Sequence, residues 1–181
     1  MKIIVTGAPG VGKTSIMEGL AESGWKIVNF GSIMLEIAKE KYGIADRDDM
    51  RRKIKVSEYK KIQAEAAGRI AGMGGDILVD THMSIFKNGW YYPGLPVDQL
   101  ALIKPDGLLV VEAGLDELRK RREKDKGVRK REEFPDELQE MNRYYASAYS
   151  AVTGAPVFYI HNKQGRLNEA IEAVKKACKE L

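Results

Sequence analysis

Gly7-Ala8-Pro9-Gly10-Val11-Gly12-Lys13-Thr14 is the stretch that decides the fold of this chain. It has the form G-x-x-x-x-G-K-T and follows the apolar run Ile3-Ile4-Val5. It opens a helical pattern in which Ile16, Met17, Leu20 and Ala21 share one face. Strand, glycine loop and helix in that order make a phosphate-binding P-loop. The glycines let the backbone curl until several N–H groups point inward as an anion nest. The helix N-terminus behind them adds about half a positive charge. Gly7 through Thr14, with Ser15 behind, is the expected triphosphate site. Lys13 is placed to bridge the β- and γ-phosphates, and the Thr14 hydroxyl to ligate Mg²⁺.

Outward from the loop, five β-rich runs stand out: Ile3-Ile4-Val5, Ile27-Val28-Asn29-Phe30, Ile77-Leu78-Val79, Leu108-Leu109-Val110-Val111 and Val157-Phe158-Tyr159-Ile160. None alternates cleanly, and four are apolar throughout, the pattern of strands buried on both faces of a parallel sheet. Helical spacing predicts helices over 13–23, 31–42, 97–103, 114–124 and 166–180. A helix over 56–73 carries Tyr59, Ile62, Ala66, Ile70 and Met73 on one stripe, and one over 135–152 carries Leu138, Met141, Tyr145, Ala148 and Val152. Alternation of strand and helix predicts a doubly wound α/β domain over 1–181, with no internal repeat, low-complexity tract or linker.

The 181 residues suit one domain with a substantial core, and 44% hydrophobic content is that of a globular chain. No apolar run approaches the roughly 18 residues of a membrane span. The chain starts directly on a strand, so no leader peptide is expected. The lone cysteine, Cys178, allows no intrachain disulfide; it falls in step with Leu167, Ile171, Val174 and Leu181 and reads as a core residue. A cytoplasmic protein is expected. Net charge is +4. The excess is local: residues 119–131 hold nine Lys/Arg against two acids, and the rest is close to balanced. Such a cluster suits a small polyanion as well as a long one.

Ligands of such sheets sit beyond the C-terminal ends of the strands. There the chain offers the P-loop, Asn29-Phe30-Gly31, Asp80-Thr81-His82, Glu112 and His161-Asn162-Lys163-Gln164-Gly165. Asp80 ends an apolar strand as a Walker-B carboxylate does, next to the Mg²⁺ held by Thr14. Arg47 and Arg51, four apart on a helix, share a face and can grip one phosphate, with Asp48 between them as an orienting partner. Arg119, Arg121, Arg122, Arg129 and Arg131 surround Gly127, a composition suited to a segment that closes over a polyanion. Leu115, Leu118 and Arg122 share a stripe, which leaves open whether Arg122 points inward. Spacing likewise leaves open whether Arg143 reaches the cleft or solvent. His82 and His161 lack a third metal ligand, and an anionic phosphate nucleophile needs no base. Trp25 reads as packing, and Trp90 sits in a Gly/Tyr/Pro-rich loop over 88–96.

Taken together, the pieces resemble the archaeal-type adenylate kinases nearly end to end. They are Gly7 to Thr14, Asn29-Phe30-Gly31, Asp46-Arg47-Asp48 with Met50-Arg51, Val79-Asp80-Thr81-His82, Pro93-Gly94-Leu95-Pro96, Arg129-Lys130-Arg131, Asn142-Arg143, Thr153-Gly154, and Asn162 with Gly165. The resemblance implies a P-loop kinase sheet of order 2-3-1-4-5, an AMP-binding region at about 30–72, a lid at about 124–134 and a trimer. It implies an AMP site from Phe30, Gly31, Met34, Arg47, Arg51, His82, Gly94 and Leu95. It also implies ATP contacts at Asn162 and Gly165 and catalytic cations at Lys13, Arg122, Arg129, Arg131 and Arg143. Bacterial-type relatives carry Gly-Phe-Pro-Arg after the third strand. That arginine is absent here, which leaves Arg47, Arg51 and Arg143 as candidates for the AMP phosphate. The lid departs from the family pattern at Val128 and Glu132, where Thr and Asp are commoner.

The implied reaction is Mg·ATP + AMP to two ADP, with no nucleic-acid or membrane partner. Three other readings compete. A guanine-reading switch would need Asp where Asn162-Lys163-Gln164-Gly165 has Gly165. A nucleic-acid-binding ATPase would need aromatics within 119–131, and there are none. Another nucleoside monophosphate or small-molecule kinase would use the same parts on a different acceptor.

Overall fold

The computed structural model describes residues 1–87, 89–124 and 134–181, apart from the side chains at 48, 51, 87, 122 and 124. Along the chain the elements are β1 (Lys2–Thr6), α1 (Lys13–Ala21), β2 (Lys26–Asn29), α2 (Phe30–Tyr42), α3 (Arg47–Lys53), α4 (Val56–Ala71), β3 (Ile77–Asp80), β4 (Ser84–Lys87), β5 (Trp90–Pro93), α5 (Val97–Ile103), β6 (Gly107–Glu112), α6 (Leu115–Lys124), α7 (Pro135–Thr153), β7 (Val157–His161) and α8 (Leu167–Lys179).

Five strands form one sheet in the order β2-β3-β1-β6-β7, and each neighbouring pair is parallel. Counted within this sheet alone, the order is 2-3-1-4-5; the labels shift because a separate antiparallel hairpin, β4–β5, intervenes. Side chains of β1 alternate between the two faces, as the two-residue period requires. Ile4 enters a core with α2, α4 and α5, whereas Ile3 and Val5 enter one with α1 and α8. The central strands β1, β3 and β6 are buried on both faces as expected. The edge strands are not: Ile27 on β2 and Phe158 and Tyr159 on β7 are exposed. Apolar composition alone does not separate a central strand from an edge. The strands flanking β1, β3 and β6, follow one another in chain order within the sheet but lie on opposite sides of β1, so the loop after β1 opens into the crevice where ligands of such sheets bind.

Three local readings are corrected. Phe30 begins α2 rather than ending a strand, because the Asn29 side chain accepts from the Ser32 N–H and caps the helix. On α7, Ala148 and Val152 face solvent, and the buried face is Leu138, Gln139, Asn142, Ala146 and Tyr149. The unexpected hairpin explains the change. It lies against α7, where polar groups read it: Ser84 Oγ donates to Asn142 Oδ1 at 3.2 Å, Tyr145 Oη to the Tyr91 carbonyl at 3.1 Å, and Tyr149 Oη to the Leu95 carbonyl. The loop expected over 88–96 therefore contains β5, with Phe86 and Tyr91 rings 5.0 Å apart across the hairpin. Trp90 at its tip is exposed, whereas Trp25, like Cys178, is partly buried against the core. Among the described residues no helix is long and apolar enough to cross a membrane.

Candidate active site

The P-loop turns through three glycines of positive φ: Gly7 (152°), Gly10 (92°) and Gly12 (92°). Close packing adds to the demand. A Cβ on Gly7 would stand 2.3 Å from the Val111 carbonyl oxygen, and one on Gly12 would stand 2.2 Å from Asn162 Nδ2. The loop is thus pressed against the ends of β6 and β7. Lys13 Nζ folds back and donates to the Gly7 carbonyl at 3.0 Å. Burial lowers the pKa of this ammonium, and the Asp80 carboxylate works in the opposite direction. Thr14 and Ser15 are exposed in the first turn of α1, which contains no acidic residue to oppose an anion.

Two side chains brace the loop from behind. Asn162, buried at the end of β7, donates from Nδ2 to the Val11 carbonyl at 2.9 Å. Its side chain therefore holds the loop rather than facing an open cleft. Gly165 is exposed in the turn before α8 and takes a φ of 75°. Arg121 was only one of a cluster in the sequence. Its Nη1 donates to the Gly10 and Val11 carbonyls at 3.2 and 3.3 Å, and its Nη2 to the Asn162 carbonyl at 3.4 Å. Glu117, four residues earlier on the same helix, accepts from Nη2 at 3.4 Å.

Beside the loop, a cleft is lined by Asn29, Phe30, Gly31, Met34, Arg47, Met50, Tyr59, Gln63, Asp80, Thr81, His82, Ile85 and Gly94. Six of the eight residues expected for AMP are here: Phe30, Gly31, Met34, Arg47, His82 and Gly94. Phe30 and Met34 are buried and form its apolar floor. Gly94 is needed for closeness, since a Cβ would stand 1.9 Å from the His82 carbonyl oxygen. Leu95 does not line the cleft. It is fully buried in the core, and its carbonyl receives the Tyr149 hydroxyl. Tyr59 and Gln63, one turn apart on α4, were missed as site residues because Tyr59 belongs to an apolar stripe that looks like core. Arg47 Nη2 donates to Ser32 Oγ at 2.8 Å and Asn29 Oδ1 at 3.1 Å. The side chains of Asp48, Arg51 and Arg122, and Arg129 and Arg131 with the rest of 125–133, lie outside the described residues.

Arg143, half exposed, turns its guanidinium to the end of β6. Its Nη2 donates to Glu112 Oε2 at 2.7 Å and its Nε to Oε1, and Glu112 is 2% exposed. The pairing raises the Arg143 pKa, so its charge is secure. His161 Nε2 lies 3.6 Å from Glu112 Oε2. A second cavity opens at the opposite end of the sheet, among Ile3, Leu108, Val157, Val174 and Cys178. Its lining is mainly apolar and includes Glu180 rather than any cation, which makes it unsuited to phosphate.

Arginine, lysine and backbone N–H groups thus gather at the C-terminal edge of the sheet, on both sides of Asp80. Comparison with known proteins decides between the phosphate-handling enzymes this allows. The chain is 43% identical over 171 residues to the adenylate kinase of Pyrobaculum aerophilum, covering 92% of this chain and 86% of that one. It is 41% identical to the adenylate kinase of Methanopyrus kandleri, covering 99% and 98%.

The chain belongs to the adenylate kinase family. Residues 6–141 also match the family model described as an AAA domain, so the chain belongs to that P-loop family as well. Among solved structures, the shikimate kinase of Acinetobacter baumannii in complex with shikimate superposes with a TM-score of 0.60 at 13% identity, covering 99% of this chain and 93% of that one. This last likeness is one of fold. The adenylate kinases share the sequence nearly from end to end, and the family makes the chain a nucleoside monophosphate kinase, a phosphotransferase.

Proposed function

We propose that this adenylate kinase family member transfers the γ-phosphoryl group of ATP reversibly to AMP, giving two ADP. The observation that carries the reading is the continuity of the two anion sites. The P-loop with Lys13 and the cleft with Arg47 meet at Asp80, whose carboxylate acts on the Lys13 ammonium and lines the cleft. ATP would lie with its phosphates in the loop and AMP with its phosphate toward Arg47. An AMP oxygen attacks the γ-phosphorus in line, the bond from that phosphorus to the β,γ-bridging oxygen breaks, and ADP leaves. The nucleophile is already anionic, so the chain's task is to position it and to stabilise spread negative charge. Lys13 and Arg143 supply fixed cations, and Phe30 and Met34 offer an apolar surface for a base.

The donor set fits Mg²⁺. The Thr14 hydroxyl and the Asp80 carboxylate are hard oxygens in a site where phosphates and water would complete the shell. Bound there, Mg²⁺ would neutralise charge on the β- and γ-phosphates. Region 30–72 as the AMP-binding part, 124–134 as a lid with Arg129 and Arg131, and a trimeric assembly complete the reading, supported by resemblance, and a cytoplasmic location is supported by the single cysteine. Arg122 and Arg51 join the phosphate contacts on the same ground.

Titrating ATP consumption against AMP, CMP, UMP, GMP, shikimate and no acceptor tests the proposal. Stoichiometric ADP from AMP, at a kcat/KM at least tenfold above any other acceptor, is expected from a site that reads one base. Steady ATP hydrolysis indifferent to AMP overturns it.

A further inference from the structure

Asn29 is a residue for which neither the motif nor the cleft's shape sets a task. Parallel register makes it the cross-strand neighbour of Asp80, at the C-terminal ends of β2 and β3. Its carboxamide makes four contacts. Oδ1 accepts from the Ser32 N–H at 2.9 Å, from Ser32 Oγ at 3.1 Å and from Arg47 Nη2 at 3.1 Å. Nδ2 donates to Asp80 Oδ2 at 2.7 Å. The orientation is not interchangeable. A backbone N–H can only donate, and so can a guanidinium, so the oxygen must face Ser32 and Arg47 and the amide must face Asp80.

We infer that Asn29 is a positioning residue for the transfer reaction, one carboxamide that fixes the Asp80 carboxylate with its nitrogen and the Arg47 guanidinium with its oxygen. The inference rests on the functional reading above. The amide takes one lone-pair direction of Oδ2 and leaves Oδ1 and the remaining direction to serve the P-loop side. At the other end, Arg47 Nη2 is held in a triangle with Asn29 Oδ1 and Ser32 Oγ. A guanidinium pinned at one corner offers its other N–H groups in a fixed plane, the condition for gripping a phosphate without first ordering a long side chain. Asn29 also caps α2, the helix that supplies Phe30 and Met34 to the cleft floor. The acceptor side and the metal side therefore share one rigid reference.

Residue chemistry lets the roles be separated. Asn29→Asp keeps a good helix cap and keeps an acceptor for Arg47, but it faces Asp80 with a second carboxylate in place of the donor. Asn29→Ser keeps the cap and is too short to reach either partner. Four quantities are measured for each: the thermal midpoint, AMP affinity by calorimetry in EDTA, kcat, and KM for AMP. The Asn29→Ser midpoint should stay within about 3 °C of the parent, since the cap survives, whereas the second carboxylate of Asn29→Asp beside Asp80 lowers its midpoint by several degrees and leaves the protein folded. Asn29→Asp should hold AMP affinity within about threefold and lower kcat at least about tenfold, the scale of one lost bond to a charged group. Asn29→Ser should weaken AMP in EDTA by about tenfold and lower kcat as well. Midpoints that fall with AMP affinity and kcat of the folded protein unchanged would mean a purely structural Asn29, and overturn the inference. So would parental kcat and AMP affinity in both variants. A parent protein that makes no ADP from AMP would instead defeat the reaction assignment, while AMP binding in EDTA would still report on the Asn29–Arg47 contact.

Discussion

Glu112, 2% exposed at the end of β6, is held by Arg143 through both of its carboxylate oxygens. Arg143 is half exposed, so the pair spans the boundary between core and solvent. Removing the guanidinium alone would strand a buried carboxylate with, among the described residues, only His161 nearby at 3.6 Å. Arg143→Ala should therefore lose about 1–3 kcal/mol of stability, a figure reduced from that of a fully buried pair because water already reaches the arginine. Adding Glu112→Gln should restore part of that loss, since a neutral amide is cheaper to bury, while activity stays low for want of the cation. Urea unfolding of both single variants and the double variant measures the coupling. A double variant less stable than Arg143→Ala would contradict the account.

Lys13→Met removes the cation that bends over the P-loop onto the Gly7 carbonyl. The rate of ADP formation should fall by at least about 10²-fold, the scale for one preorganised group at the transferring phosphate. Circular dichroism should show a folded protein. Kinetics within about threefold of the parent would remove Lys13 from the mechanism.

Arg47→Ala should weaken AMP far more than ATP. A charge-assisted hydrogen bond to phosphate contributes about 1.5–3 kcal/mol, or roughly 10- to 150-fold in affinity. Binding of each nucleotide alone, measured by calorimetry, checks the direction. A rise confined to the ATP dissociation constant would exchange the two sites.

Arg121 grips the outside of the P-loop through the carbonyls of Gly10 and Val11. These bonds are long and the side chain is partly exposed, so the lower end of the charged-bond range applies. Arg121→Ala should raise KM for ATP by about tenfold and leave AMP binding in EDTA unchanged. Steady-state titration of each substrate separates the two effects.

Gly94→Ala tests the base of the hairpin. The new methyl would meet the His82 carbonyl oxygen at 1.9 Å, and backbone rather than a flexible side chain must yield. A loss of about 1–3 kcal/mol is expected from such overpacking, which lowers the thermal midpoint by several degrees. AMP affinity should fall with it, because His82 and Gly94 both line the cleft. A midpoint equal to the parent's would mean that the hairpin base yields without cost.

The P-loop and the parallel character of the sheet were legible from residues 1–21 and four further β-rich runs, because glycine spacing and the lack of alternation along a run are local signals. Glycine spacing, a strand before it and a helix after it are local facts. So were the strand-end carboxylates Asp80 and Glu112, which follow from where apolar runs stop. Other features depended on contacts between distant segments. The hairpin after β3 gives little periodic signal, and its position decides which face of α7 is buried. Arg143 could have pointed wholly away from the sheet; Glu112, 31 residues away, decides where its guanidinium is held. Arg121 looked like any other charge in a basic run until the P-loop carbonyls, 110 and 111 residues away, came within reach of it. Asn29 shows the division within one side chain. Its capping of α2 is local chemistry, whereas its bond to Asp80, 51 residues on, exists only because parallel strands bring their C-terminal ends side by side. Local spacing by itself determined the fold class and the phosphate loop. Tertiary structure alone decided which polar groups meet, since a parallel sheet pairs strand ends through long crossovers whose register no short-range pattern encodes.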